Sequence, residues 1–403
     1  MKYVVFLGDG MADYPQPSLG GKTPLQLADK PFIDSLAEFS EIGLCKTIPD
    51  GLKPGSDVAN LSVLGYNPKE CYTGRSPLEA ASIGIDLKVT DITARANLVS
   101  LSDEENYEDK TMIDYSAGEI TTEEAKELIA FLAENLNDER RSLYAGVSYR
   151  HCLVVDNGKI AGDLTPPHDI TGRKIKEYLP KSEIGREYLS IMKKSYELLK
   201  DHPVNLDRIK RGKKPANSLW FWGEGSKPSL ENFEKRYGLK GGMISAVDLL
   251  KGIGKLSGMR VINVAGATGN YDTDFIGKAK ACVENLNDLD FIYIHMEAPD
   301  ECGHHGDAEH KIFSIGEISE KVVKTVVESL RGKGEDFAVL ICPDHPTPLS
   351  TMTHAKDPVP YMIYRSNNPF GGKTADKYDE ENAKSTGVFV PSGVELMKRF
   401  IGR

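Results

Sequence analysis

The sequence predicts an α/β protein built on a mainly parallel sheet covered by helices, with a smaller α/β domain inserted in its middle. Three observations carry this reading. Short, wholly apolar runs occur at 3–7 (YVVFL), 291–294 (FIYI) and 337–341 (FAVLI), and such runs, cut off by polar residues, mark strands buried on both faces. Segments of helical spacing separate them, at 276–286 and at 312–330, where Ile315, Ile318, Val322, Val323, Val326 and Leu330 recur at helical intervals. The third observation is a change of texture in mid-chain, with polar helical patterns at 122–135 and 184–199 and loops rich in Pro and Gly at 165–167 and 223–228.

Strands that alternate with helices give a parallel sheet with both faces covered. The length of 403 residues suits two domains. We assign 1–85 and 246–403 to a core domain and 86–245 to the insert. The net charge of −10 argues against a nucleic-acid binder, which needs a surplus of Lys and Arg. The six cysteines are scattered, with no C-x-x-C pair, as expected of free thiols in a reducing compartment. The apolar run at 3–7 is too short for a signal-peptide core and no run reaches membrane-spanning length, so a cytoplasmic protein is expected.

Each buried strand ends in an acid. The first leads into Gly8-Asp9-Gly10, the second into Ala298-Pro299-Asp300 followed by His304, and the third into Pro343-Asp344-His345, with His354 a little further on. Ligands of open parallel sheets bind outside the carboxyl ends of the strands, so these acids can converge on one crevice. Singly, each has a commoner structural role, because an Asp after a strand usually forms a turn or caps a helix. Together, three carboxylates and three imidazoles suit two borderline-to-hard cations such as Mn²⁺, Zn²⁺ or Mg²⁺. Ser56, in Pro54-Gly55-Ser56-Asp57, precedes a predicted helix at 58–64. It reads either as an N-cap or as a hydroxyl at a helix N-terminus, where a phosphate is favoured. Coordination to a cation would turn it into a nucleophile.

The motifs Gly8-Asp9-Gly10, Pro54-Gly55-Ser56-Asp57-Val58-Ala59-Asn60-Leu61, Ala298-Pro299-Asp300-x-x-Gly303-His304, Pro343-Asp344-His345 and Thr353-His354 occur in one order along the chain. In this the sequence resembles the cofactor-independent phosphoglycerate mutases, in their shorter archaeal-type branch within the alkaline-phosphatase superfamily. Tyr72-x-Gly74-Arg75-x-Pro77-x-Glu79-Ala80-Ala81 and Arg95-x-Asn97 resemble the same branch. The resemblance implies an alkaline-phosphatase-like core and two divalent cations. One would be held by Asp9, Ser56, Asp344 and His345, the other by Asp300, His304 and His354. Mn²⁺ is the cation implied, with Mg²⁺ or Zn²⁺ as alternatives, and 2,3-bisphosphoglycerate is not needed. The implied reaction interconverts 3-phosphoglycerate and 2-phosphoglycerate through a phosphoserine on Ser56, with the insert as a lid that keeps water out.

A small phosphorylated substrate needs fixed positive charge for its carboxylate and phosphate. The candidates are Arg75, Arg95, Arg150 and Arg173, with Lys240, His168 and Asp169. Trp220 and Trp222 alternate as in a half-buried strand and read as packing within the insert. Glu297, read as lying at the mouth of the site, would reverse its local charge and accommodate a substrate ammonium. On that point the sequence resembles a subgroup proposed to act as a homoserine kinase. A phosphotransferase on a small hydroxy amino acid is therefore the alternative, although no G-x-x-x-x-G-K-[ST] loop is present. A metal-dependent phosphatase is the third reading.

Overall fold

The three apolar runs become the central strands of an eight-stranded sheet in a computed structural model that describes residues 1–372 and 374–402. Among the described residues the strands are β1 (Lys2–Gly8), β2 (Ser40–Cys45), β3 (Ile92–Leu101), β4 (Met112–Asp114), β5 (Arg141–Val147), β6 (Arg150–Val155), β7 (Ser218–Ser226), β8 (Gly241–Ile244), β9 (Arg260–Ile262), β10 (Phe291–Met296), β11 (Phe337–Cys342), β12 (Val359–Arg365) and β13 (Phe389–Val390). The chain divides into two compact units, 1–72 with 229–403, and 73–228. These edges differ from the expected 86 and 245. Helix Ser76–Ser82 packs on β3 and β7, and so goes with the second unit. β8 pairs with β10, and so goes with the first.

In the first unit the strand order is β13-β2-β12-β11-β1-β10-β8-β9. β11, β1, β10, β8 and β9 run parallel, and β12 is antiparallel to both its neighbours. Val4 and Phe6 of β1, Ile292 and Ile294 of β10, and Val339 and Ile341 of β11 pack in one cluster with Val322, Val326 and Leu330. The last three lie on the helical stretch Ala308–Glu317, Ile318–Val323 and Lys324–Lys333, whose middle segment is a π-helical turn. Both sheet faces are covered, which is why the central runs carry no polar residue. A wholly buried ion pair ties the chain beyond β1 to this helix. Lys311 Nζ donates to Asp13 Oδ2 at 2.7 Å and to the Thr347 carbonyl at 2.8 Å.

The second unit is antiparallel. β3 pairs with β6 on one side and β7 on the other, β5 pairs with β6, and β4 pairs with the end of β3. Ala94, Ala96 and Leu98 share a core with residues of helices Thr122–Leu136 and Glu183–Leu199. The opposite face of β3 carries Arg95 and Asn97, by the two-residue alternation of a strand. All six cysteines are free and buried, and among the described residues no helix is long and apolar enough to cross a membrane.

Glu380, the first residue of helix Glu380–Ser385, accepts from Thr23 Oγ1 at 2.7 Å and from the Asp13 amide at 3.0 Å. Burial pushes its carboxyl from 4.5 up to about 7. The folded protein therefore keeps a proton that the unfolded chain loses, so stability falls as pH rises from about 4.5 to about 7. Glu380→Gln stays neutral throughout. Its stability relative to wild type should improve across that window by up to about 3 kcal/mol. Denaturant titrations at pH 5 and pH 8 (~3 units apart) test this, and a difference that does not change with pH would contradict it.

Candidate metal centre

The acids stand where the parallel strands end. Asp9 follows β1 and accepts from His295 on the neighbouring strand β10, whose Nε2 lies 2.9 Å from Asp9 Oδ2. Gly10 has φ +60, and a Cβ there would sit 2.5 Å from Asp300 Oδ1, so only glycine lets the two loops approach this closely. Asp300 and His304 lie four apart on helix Ala298–His304, which puts them on one face. Asp344 and His345 follow β11. Ser56 is the first residue of helix Ser56–Val63, and its cap position is taken by Gly55. Its hydroxyl makes no capping bond and lies 3.2 Å from His345 Nε2.

Two groups place their ligand atoms within 4.8 Å of one another: Asp300, His304 and His354, and Asp9, Asp300 and His345. Asp300 belongs to both. Asp344 stands beside the second, with Oδ2 3.3 Å from His345 Nε2, and accepts from the Gly10 amide at 3.2 Å and from Asn60 Nδ2 at 2.9 Å. Hydrogen bonding assigns the His345 tautomer. Thr347 commits its hydroxyl proton to Asp300, so its oxygen, 3.2 Å from His345 Nδ1, can only accept. The Nδ1 then carries the proton and Nε2 presents a lone pair toward Ser56.

These residues fit divalent cations. Asp9 Oδ1 is buried without a hydrogen-bond partner, which leaves an unsatisfied oxygen at the cluster. Burial, followed by the charges of Asp344, Asp300 and Glu297, raises the Asp9 carboxyl well above its usual range. Cations among the three acids would remove that cost. Burial opposes ionisation of Asp300 too, but hydrogen bonds with His304 and His354 outweigh it and hold Asp300 well below the usual range. Asp300 in turn draws the His304 imidazole up to about 9.

The residues around the ligands were mostly missed in the sequence. Asn60 bridges the Ser56 carbonyl and Asp344, and Tyr293 Oη donates to Asn60 Oδ1 at 2.6 Å. Only the presence of Asn60 in the Ser56 motif hinted at this. The reading of Glu297 at the mouth of the site is corrected. It is buried, 2.9 Å from Lys278 Nζ and 2.9 Å from His295 Nδ1, and accepts from the Ala246 amide at 3.0 Å. Burial would raise it, but Lys278 and His295 outweigh that and hold its carboxyl far below its usual range. Lys278 neutralises the charge that the sequence seemed to turn outward, and Glu297 instead orients His295 behind Asp9.

In the second unit, Glu79 joins two of the expected arginines, 2.8 Å from Arg75 Nε and 2.9 Å from Arg95 Nε. Arg150 is directly opposite Asn97 on the neighbouring strand, and so projects from the Arg95 face. His168 and Asp169 are exposed on the 3₁₀ helix Pro167–Ile170 that precedes Arg173, with His168 Nε2 3.5 Å from Asp169 Oδ1. Arg173 turns to Tyr178 Oη at 3.2 Å. Lys240 is also corrected. It precedes β8, which is parallel to β10, and so stands at the opposite end of the sheet from Asp9 and Asp300.

The family model described as 2,3-bisphosphoglycerate-independent phosphoglycerate mutase matches residues 37–205. A Methanosarcina barkeri protein of the same name is 50% identical over 398 residues, covering 98% of each chain. A Geobacter sulfurreducens protein named as a probable 2,3-bisphosphoglycerate-independent phosphoglycerate mutase is 46% identical over the whole of both chains. Among solved structures, a Pyrococcus horikoshii protein is similar with a TM-score of 0.81 at 29% identity, covering 100% of this chain and 97% of that one. The cofactor-independent phosphoglycerate mutase of Thermoplasma acidophilum shares the fold, with a TM-score of 0.62 at 23% identity over 100% of this chain and 99% of that one.

Metal-free Asp9→Asn should melt at a higher temperature than metal-free wild type, because one of the crowded buried charges is gone. Mn²⁺ should raise the melting temperature of the wild type and leave that of the variant nearly unchanged. An equal response to Mn²⁺ in both proteins would remove Asp9 from the ligand set.

Proposed function

Because this chain belongs to the 2,3-bisphosphoglycerate-independent phosphoglycerate mutases, we propose that it interconverts 3-phosphoglycerate and 2-phosphoglycerate through a phosphoserine on Ser56. The observation that carries this reading is the end-to-end match to relatives of that name at 46–50% identity. The Ser56 hydroxyl, uncapped at a helix start and 3.2 Å from His345 Nε2, supports its role as the nucleophile.

Asp300, His304 and His354 would hold one divalent cation, and Asp9, Ser56, Asp344 and His345 the other, with Mn²⁺ the expected metal. When bound, the cations would lower the pKa of the Ser56 hydroxyl and offset charge on the transferred phosphoryl oxygens. Ser56 Oγ gives up its proton and forms a bond to phosphorus as the bond from phosphorus to the substrate oxygen breaks, and the freed glycerate oxygen takes up the equivalent proton. After the glycerate reorients, its other hydroxyl gives up its proton and bonds to phosphorus as the bond from phosphorus to Ser56 Oγ breaks, and Ser56 takes up the equivalent proton. The helix N-terminus at Ser56 stabilises the phosphorylated state.

Arg75, Arg95 and Arg150 would hold the anionic groups of the substrate, and the second unit would act as the lid. Water at the phosphoserine would release phosphate, so excluding it separates a mutase from a phosphatase. The buried Lys278–Glu297 pair removes the charge argument that favoured an ammonium-bearing substrate.

Ser56→Ala should lower turnover of 3-phosphoglycerate, followed through an enolase-linked assay, by at least about 10⁴-fold. Its Mn²⁺ content should stay close to that of wild type. Activity near the wild-type level would make the nucleophile assignment wrong. Formation of phosphohomoserine from ATP and homoserine, without turnover of 3-phosphoglycerate, would overturn the mutase reading.

A further inference from the structure

The face of β3 that carries Arg95 and Asn97 continues onto Arg150 of β6 and onto Trp222 and Trp220 of β7, which stand opposite them in register. Trp220 is 1% exposed and donates Nε1–H to the Thr165 carbonyl at 2.8 Å, as a packing tryptophan does. Trp222 is different. It is only half-buried, and the Arg95 guanidinium carbon lies 4.0 Å from its ring centroid. Its Nε1–H donates to Asn97 Oδ1 at 2.9 Å, while Asn97 Nδ2 donates to the Tyr115 carbonyl at 3.0 Å. The indole is therefore fixed at both its ring face and its edge. His168 meets it edge-on with ring centroids 5.0 Å apart.

Arg95 is held against this wall with its Nε on Glu79. Among the described residues, no hydrogen bond takes its two terminal nitrogens, although the residue is 7% exposed. Its Nε, although 2.9 Å from Glu79, is buried without a directed hydrogen bond, and a buried guanidinium N–H left so is costly. Charge points the same way. Arg75, Arg95 and Arg150 all act on Glu79, whose carboxyl burial would raise but which these three cations, Arg95 foremost, hold below its usual range. Burial also lowers Arg95 to about 10, which leaves it cationic near neutral pH. Three cations thus share Glu79, and Arg95 offers planar donors that no hydrogen bond takes among the described residues, the chemistry that recognises a carboxylate or phosphate.

We propose that Trp222 is a positioning residue for this anion-binding cluster. It acts through Arg95, fixing the guanidinium plane so that its free N–H pair meets an anionic group of the substrate. This rests on the mutase reading above, and it gives Trp222 a role where the sequence pattern suggested packing alone. A cation–π contact between partly desolvated groups is strong enough to set affinity, and the Asn97 bond prevents the indole from rotating away.

The test compares Trp222→Leu and Trp222→Phe with wild type, all loaded with Mn²⁺. Trp222→Leu should raise KM for 3-phosphoglycerate about tenfold and change kcat by less than about threefold. Trp222→Phe keeps the stacked ring and should fall between the two. Intrinsic fluorescence supplies a readout that does not depend on the Leu variant folding. Adding 3-phosphoglycerate should change the emission of wild type but not that of Trp222→Phe, whose remaining Trp220 is buried. If wild type turns over 3-phosphoglycerate and Trp222→Leu has the same KM, or if wild-type emission is unresponsive, the inference is overturned and the mutase reading stands. If wild type neither binds nor turns over 3-phosphoglycerate, the mutase reading fails, and this inference fails with it.

Discussion

Asp9, Asp300 and Asp344 meet in a nearly dry space at the ends of three adjacent parallel strands, and the rest of the first unit is arranged around that fact. Burial, and then the charges of Asp344 and Asp300, push the Asp9 carboxyl well above its usual range. The sheet cannot avoid the crowding, because the register that buries Val4, Phe6, Ile292 and Ile341 also brings the three strand ends side by side. Hydrophobic burial therefore sets the positions of the charges, and bound cations would offset what that placement costs.

Around the acids the protein commits most of the available hydrogen-bonding capacity. Thr347 serves Asp300 and His345 together, and Asn60 joins Asp344 to the Ser56 helix. Lys278, Glu297, His295 and Asp9 form one series of contacts running from a helix across a strand end to the proposed metal site. Such a chain fixes side-chain orientation before any cation or substrate arrives, which is what a site dependent on position needs. The second unit solves a related problem with the opposite sign. There a surplus of guanidinium groups is held by one carboxylate and an aromatic wall.

The fold was legible where burial alone decides. Strands with no polar residue for several positions, such as β1, β10 and β11, stand out in a sequence, and an acid after each is visible without a structure. β2 was not read, because Ser40–Cys45 mixes polar and apolar residues, and β12 was not, because Pro360 interrupts Val359–Arg365. Lys240 was misread because Gly241-Gly242 looks like a loop, yet Gly242 lies where a Cβ would press on Leu289, inside the sheet. Glu297 was misread for a different reason. Its partner Lys278 is on the preceding helix, Phe275–Asn285, and no local pattern announces a lysine that turns inward. Trp222 shows the limit of period-two alternation, which says that residues share a face but not that the face is lined with arginines.

The most direct measurement is anomalous diffraction at the manganese edge from crystals of the wild-type protein grown with Mn²⁺. The account predicts two peaks, one among Asp300, His304 and His354 and one among Asp9, Asp344, His345 and the Ser56 hydroxyl. Absence of ordered manganese at these carboxylates, in crystals of protein that turns over 3-phosphoglycerate, would contradict it.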